Sequence, residues 1–299
     1  VTAAVAPRFH GVFPAAVTPF QPDGALDLPA FSANLERYAR EDLGGVLVLG
    51  SNGEAGSLEE DEKLALVKAA RGLLGKKTLL VGTGLESTRA TIALTRKVAD
   101  LGADLALVLT PSYYKTKMTA DVLRRHFEAV ADASPIPIVL YSVPAFTGLP
   151  WPAGLAESLA PHPKVVGMKE SAGDLALLGR IRTGTPETFT LACGSGPVFY
   201  PALCVGASAG VLAVAACAPA SVAALFRAHE SGDHAKARRL QEALSPLAVS
   251  VTATHGVAGL KAALDAAGMR GGAVRAPLLP VSDAVRQEIG ALLAALPAA

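Results

Sequence analysis

Val165-Val166-Gly167-Met168-Lys169, running at once into Glu170-Ser171-Ala172-Gly173-Asp174, is the stretch on which the fold turns. An apolar run that stops at one charged residue and passes into small and polar ones reads as a buried strand entering a strand-to-helix loop. Near-continuous apolar strands belong to parallel sheets, because helical crossovers cover both faces. Moving outward, the same pattern recurs at 12–17, 45–49, 78–81, 105–109, 137–141, 189–193 and 209–214, giving eight strand candidates. Helix-like segments fall between them, at 61–74, 87–101, 121–131 and 220–230, with Ser, Thr or Asp near several starts. Eight β/α units in about 215 residues predict an α/β chain folded as a (β/α)8 TIM barrel, for which roughly 250 residues is usual. The alternative is an open doubly wound sheet, but the first strand is not followed by the G-x-G-x-x-G turn of a dinucleotide site.

Three more helical patterns follow, at 234–251, 257–267 and 283–296, beyond what a barrel needs. The expected division is a catalytic barrel over 8–231 and a C-terminal helical appendage over 232–299, bounded near Ser231-Gly232 and packed on the barrel or a neighbouring subunit.

Composition narrows the partners. Of the 299 residues, 51% are hydrophobic and 18% charged, enough for a large core, and the net charge of +1 comes without a basic block. Neither a nucleic-acid footprint nor a polybasic membrane anchor is expected, so the partner is a small molecule. No apolar run reaches the roughly 20 residues that span a bilayer. Residues 1–7 lack a charged segment leading into a long apolar one, so the expectation is a cytoplasmic chain without a secretory signal. Cys193, Cys204 and Cys217 each lie in an apolar stretch and read as reduced core residues. The six histidines show no H-x-H or H-E-x-x-H spacing, so neither a metal nor any other cofactor is expected.

Lys169 is the candidate nucleophile. At a reference pKa of about 10.4 a lysine is almost wholly protonated at neutral pH, whereas enclosure at the end of a buried strand disfavours the ammonium. Taken alone, the segment reads better as a side chain that follows the backbone into solvent, so the case needs further residues. Barrel catalysis draws on the C-terminal ends of several strands. Those ends carry Gly50-Ser51-Asn52-Gly53-Glu54, a tight turn able to hold a carboxylate, then Thr110-Pro111-Ser112-Tyr113-Tyr114-Lys115, and Tyr141-Ser142-Val143-Pro144-Ala145-Phe146-Thr147-Gly148.

Together with Val17-Thr18-Pro19-Phe20 and Gly167-Met168-Lys169, these segments resemble the pyruvate-dependent class I aldolases and lyases of the dihydrodipicolinate synthase and N-acetylneuraminate lyase superfamily, over almost the whole chain. Within it the text is most similar to 4-hydroxy-2-oxoglutarate aldolases, including Gly259-Leu260-Lys261 and Arg275-Ala276-Pro277-Leu278 in the tail. Dihydrodipicolinate synthases usually carry two threonines at Ser51 and Asn52, and an arginine for the aldehyde's carboxylate at Phe146.

The resemblance implies that Lys169 forms an imine with pyruvate and that Tyr141 lies over it and moves protons. Ser51 and Tyr114 match the family's proton relay, the tyrosine entering from an adjacent subunit of a homotetramer, a dimer of dimers; Tyr113 can serve as packing partner in its place. Ser51 and Asn52 would offer backbone N–H groups to the substrate carboxylate, although Asn52 suits a plain turn equally well. Ser171 would bind the distal hydroxyl or carboxylate, or else cap a helix. Glu54 and Asp174 are expected in solvated loop or capping roles. The implied activity is cleavage of 4-hydroxy-2-oxoglutarate to pyruvate and glyoxylate. The other readings are condensation of pyruvate with aspartate semialdehyde, an aldolase for another 2-oxo sugar acid, and a silent pyruvate-binding relative.

Overall fold

The computed structural model describes residues 9–297, so residues 1–7 and Arg8, the expected first barrel residue, lie outside it. Eight parallel strands form one sheet: β1 (Gly11–Pro14), β2 (Gly45–Val48), β3 (Thr78–Gly82), β4 (Leu105–Leu109), β5 (Ile138–Ser142), β6 (Val165–Glu170), β7 (Thr190–Cys193) and β8 (Ala209–Leu212). Each pairs with its sequence neighbour from β2 to β8, and β1 pairs with β8. Ala16 N–H donates to Leu47 O at 2.9 Å, and a parallel bridge joins Ala15 to Leu47, closing the ring. The chain is a TIM barrel.

Around the barrel run α1 (Leu28–Arg40), α2 (Glu60–Leu74), α3 (Thr88–Asp100), α4 (Ala120–Ala133), the single turn α5 (Pro144–Thr147), α6 (Leu155–Leu159), α7 (Leu175–Gly184), α8 (Phe199–Cys204), α9 (Val214–Cys217) and α10 (Pro219–Glu230). Then follow α11 (His234–Val249), α12 (Gly256–Ala266) and α13 (Asp283–Ala294). Side chains of Ser87, Thr119, Asp174, Asp233 and Ser282 accept N–H donors at the starts of α3, α4, α7, α11 and α13, filling an otherwise unmet acceptor need. The tail helix read over 234–251 stops at Val249 and continues as a π-helical turn, Ser250–Thr254. No helix among the described residues is long and apolar enough to cross a membrane.

Strand alternation divides the core in two. Phe13, Leu47, Leu80, Leu105, Leu107, Val139 and Tyr141 fill the barrel interior, while Val46, Leu79, Ala106, Val108, Leu140 and Met168 pack outward under the helices. Each buried Val or Leu contributes about 1.5–3 kcal/mol. Glycine is required where backbones nearly touch: a Cβ on Gly45 would stand 2.1 Å from Thr78 O, and one on Gly82 2.1 Å from Leu49 O. Of the three cysteines, Cys193 and Cys217 are buried as expected, but Cys204, at the end of the short α8, is exposed. An apolar neighbourhood in sequence does not fix which face of so short a helix a residue occupies.

His126 lies on the buried stripe of α4 with Leu123, Phe127 and Val130. Its Nδ1 is 2.9 Å from Thr88 Oγ1, its Nε2 is buried without a partner among the described residues, and burial pushes its pKa down to about 4. The unfolded chain therefore binds a proton that the folded chain refuses, and stability falls as pH drops from about 6.5 toward 4. His126→Gln should reduce the loss of unfolding free energy between pH 7 and 4.5 by about 2–3 kcal/mol, read by denaturant titration. An equal loss in both proteins would contradict this.

Candidate active site

The register of β5 and β6 sets Tyr141 beside Lys169, and alternation turns both into the barrel while Met168 and Glu170 face out. Lys169 is 4% exposed, so it does not follow the chain into solvent. Its Nζ stands 4.4 Å from the centre of the Tyr141 ring, and no carboxylate among the described residues lies within ion-pair distance.

The β6–α7 loop is organised by Glu170 on the other face of the strand. Its fully buried carboxylate accepts N–H from Ala172, Gly173 and Asp174 at 2.6, 2.9 and 3.2 Å. Burial nevertheless pushes this carboxyl above its ordinary range, against the pull of those donors. Asp174, not Ser171, caps α7, through Leu177 N–H at 2.8 Å. Ser171 instead donates its amide to Ser142 O at 3.0 Å and buries a hydroxyl with no partner among the described residues. Gly194, at the end of β7, faces both groups: a Cβ there would meet Ser171 Oγ at 1.9 Å and Lys169 Cε at 2.9 Å. Sequence reading missed Gly194, whose signal was only a small residue after a strand. Cys193, nearby on the outward face, has a thiol pushed up to about 12 by burial and is no competing nucleophile.

The turn after β2 is a single 3-10 turn, Ser51–Gly53. Amides of Gly53 and Glu54 are used inside it, on Gly50 O and Ser51 O, while those of Ser51 and Asn52 have no acceptor among the described residues. Leu49 and Glu54, with φ of 58° and 51°, flank it and are the two non-glycine residues at positive φ among those described. Thr18 Oγ1 holds Gly53 O at 2.7 Å from below. Glu54 is not solvated as expected: it is 5% exposed and paired at 2.5 Å with Lys261 from the tail. On the β4 loop, Ser112 and Tyr113 amides are fixed by Glu86 at 2.8 Å each. Tyr114 points out, 69% exposed and edge-on to Tyr113, so the single chain does not bring it to Lys169.

A closed barrel with a buried lysine at the C-terminal end of β6 defines an imine-type lyase architecture. A model of the dihydrodipicolinate synthetase family matches residues 8–296, and the chain belongs to that family, whose members are carbon–carbon lyases working through a lysine Schiff base. It is 37% identical over 275 residues to a 4-hydroxy-tetrahydrodipicolinate synthase of Exiguobacterium, covering 92% of this chain and 93% of that one. Its fold is similar to a dihydrodipicolinate synthase from Bacillus anthracis, with TM-score 0.92, 26% identity, and 97% and 99% of the two chains covered. It is likewise similar to the chloride-inhibited Acinetobacter baumannii synthase complexed with pyruvate, at TM-score 0.91, 27% identity, and 97% and 99% coverage.

These relatives overturn the expected cleavage of 4-hydroxy-2-oxoglutarate, since the curated ones are named 4-hydroxy-tetrahydrodipicolinate synthase. The residues that suggested the aldolase discriminate poorly. Free backbone amides, not side chains, distinguish the Ser51-Asn52 turn, and the Phe146 ring is 67% exposed.

Gly194→Ala should fold, yet lose roughly 10²-fold in kcat/KM because its methyl displaces Ser171 and the lysine stem. Steady-state kinetics at wild-type levels would show that the stem tolerates displacement.

Proposed function

We propose that the protein condenses pyruvate with aspartate semialdehyde through an imine on Lys169, the reaction of a 4-hydroxy-tetrahydrodipicolinate synthase. The observation that carries this reading is the buried Lys169 Nζ lying 4.4 Å from the Tyr141 ring centre, with the unpartnered Ser171 hydroxyl at the same end of the barrel. The lysine amine attacks C2 of pyruvate, and the carbinolamine loses water to give a protonated imine. That cation draws in the C3–H electron pair while Tyr141 takes the proton, and the resulting enamine adds to the semialdehyde carbonyl, whose oxygen receives the proton in return. Attack of the semialdehyde's amine on C2 closes the ring and returns Lys169. Tyr141 supplies the proton transfers of carbinolamine collapse, and the free amides of Ser51 and Asn52 receive the pyruvate carboxylate.

Two features support the remaining assignments. Phe146 offers no charge to the aldehyde's carboxylate, but Lys115 Nζ lies 2.8 Å from where a Cβ on Gly148 would stand, which sets a cation against the β5 loop. We assign it that role, as a point charge in place of a bidentate guanidinium. Tyr113 and Tyr114 project into solvent, 77% and 69% exposed, from a loop tied down by Glu86. That arrangement suits an adjacent subunit within a homotetramer, where Tyr114 would join Ser51 and Tyr141 in a proton relay.

Borohydride added with pyruvate should leave a 1-carboxyethyl group on Lys169 by peptide mass spectrometry, absent in Lys169→Ala; an unmodified wild type would refute the imine. Tyr141→Phe should lower kcat by about 10²–10⁴-fold. Lys115→Met should raise KM for the semialdehyde and leave that for pyruvate unchanged; the reverse pattern would remove Lys115 from the aldehyde side.

A further inference from the structure

The tail reaches the turn proposed to receive the pyruvate carboxylate through the Lys261 ammonium and the Arg275 backbone. Lys261, in the middle of the apolar helix α12, is 2% exposed and places Nζ 2.5 Å from Glu54 Oε1 and 2.5 Å from Ala273 O. The other oxygen of Glu54 accepts the Arg275 backbone N–H at 2.9 Å. The Arg275 guanidinium forks onto both oxygens of Glu62 at 2.6 and 2.7 Å, and donates to Gly24 O and to Ser57 O at 2.7 Å each. Both cations lie over the buried ring of Phe20, at 4.6 Å for Lys261 and 4.1 Å for Arg275. Ala273 N–H completes the strap on Phe20 O at 2.9 Å.

These contacts converge on one place. Glu54 closes the 3-10 turn of Ser51 and Asn52, in a left-handed conformation that a side chain adopts only when its surroundings impose it. A carboxylate buried this deeply requires its partners, because an unpaired charge in the interior is costly. The tail therefore decides where Glu54 sits, and Glu54 decides where the two free amides point.

We infer that Lys261 and Arg275 are positioning residues for pyruvate: through Glu54 they hold the Ser51–Asn52 amides in the geometry that receives the carboxylate. The C-terminal helices thus form part of the substrate site. Burial lowers the Lys261 pKa, against the opposing pull of Glu54.

The inference rests on the pyruvate reading, and the test separates the two. In the double variant Glu54→Gln with Lys261→Met no buried charge is left unpaired. The pyruvate concentration for half-maximal borohydride trapping should rise about tenfold to a hundredfold, with the trapping rate at saturation retained. A merely structural role would lower the folded fraction, and so the trapped amplitude, without moving the half-saturation point. Arg286→Ala, which breaks the exposed tail pair with Asp265, should titrate as wild type. A wild type that traps nothing removes the pyruvate reading; a trapped wild type and a double variant with the same half-saturation point remove this inference alone. Should the double variant not fold, hydrogen exchange on the wild-type protein decides. Coupling is reciprocal, so saturating pyruvate should slow exchange at Ala273 and Arg275 as well as at residues 51–54. Slowing confined to 51–54 would overturn the proposal.

Discussion

One constraint shapes this molecule: a lysine must end a buried strand facing inward. In a closed barrel each strand alternates between a sealed interior and a helix-covered exterior, so the register of β6 decides whether position 169 meets Tyr141 or the underside of α7. Four consecutive pairs, from Val139 with Gly167 to Ser142 with Glu170, fix that register beyond an irregularity after Ile138, and a single-residue slip would exchange Lys169 for Met168 or Glu170. Glu170 is then doubly determined. It faces outward, where its carboxylate gathers three loop amides and shapes the segment that presents Ser171.

Around that lysine the walls are made of what is missing as much as of what is present. Gly194 has no side chain, and the space it leaves is shared by the Ser171 hydroxyl and the lysine stem. Ser51 and Asn52 offer backbone amides that no other described residue uses. In the proposed reading such a site receives a small carboxylate by shape and by preset dipoles, which need no reorganisation when charge develops. The geometry endures because strain at Leu49 and Glu54 is opposed from several sides, by Thr18 beneath the turn and by Lys261 and Arg275 from the tail.

Much of this was legible in the sequence. The barrel strands announced themselves because burial on both faces leaves long apolar runs, and Lys169 stood out because it breaks one. Ser51, Asn52 and Tyr141 could be singled out as candidates for the same reason, lying where runs end. The role of Glu54 was not, because its partners stand as far as 221 residues away, and only the folded tail brings them together. A signal did exist: Lys261 is a cation inside Gly259-Leu260-Lys261-Ala262-Ala263-Leu264, where a helix of that composition is buried and a charge demands a partner. Ser171 was equally readable as a ligand or a cap, and the fold gives the cap of α7 to Asp174. The aldehyde was misread because Phe146 was weighed by its place in a motif, while its ring is held out from the barrel.

The most direct test of the imine account is a crystal structure of the protein with pyruvate. The account predicts continuous density from Lys169 Nζ to C2 of the oxo acid, its carboxylate against the amides of Ser51 and Asn52, and the Tyr141 ring over the new bond. Pyruvate bound elsewhere, or lying in the barrel mouth unattached with its carboxylate turned from that turn, would contradict it.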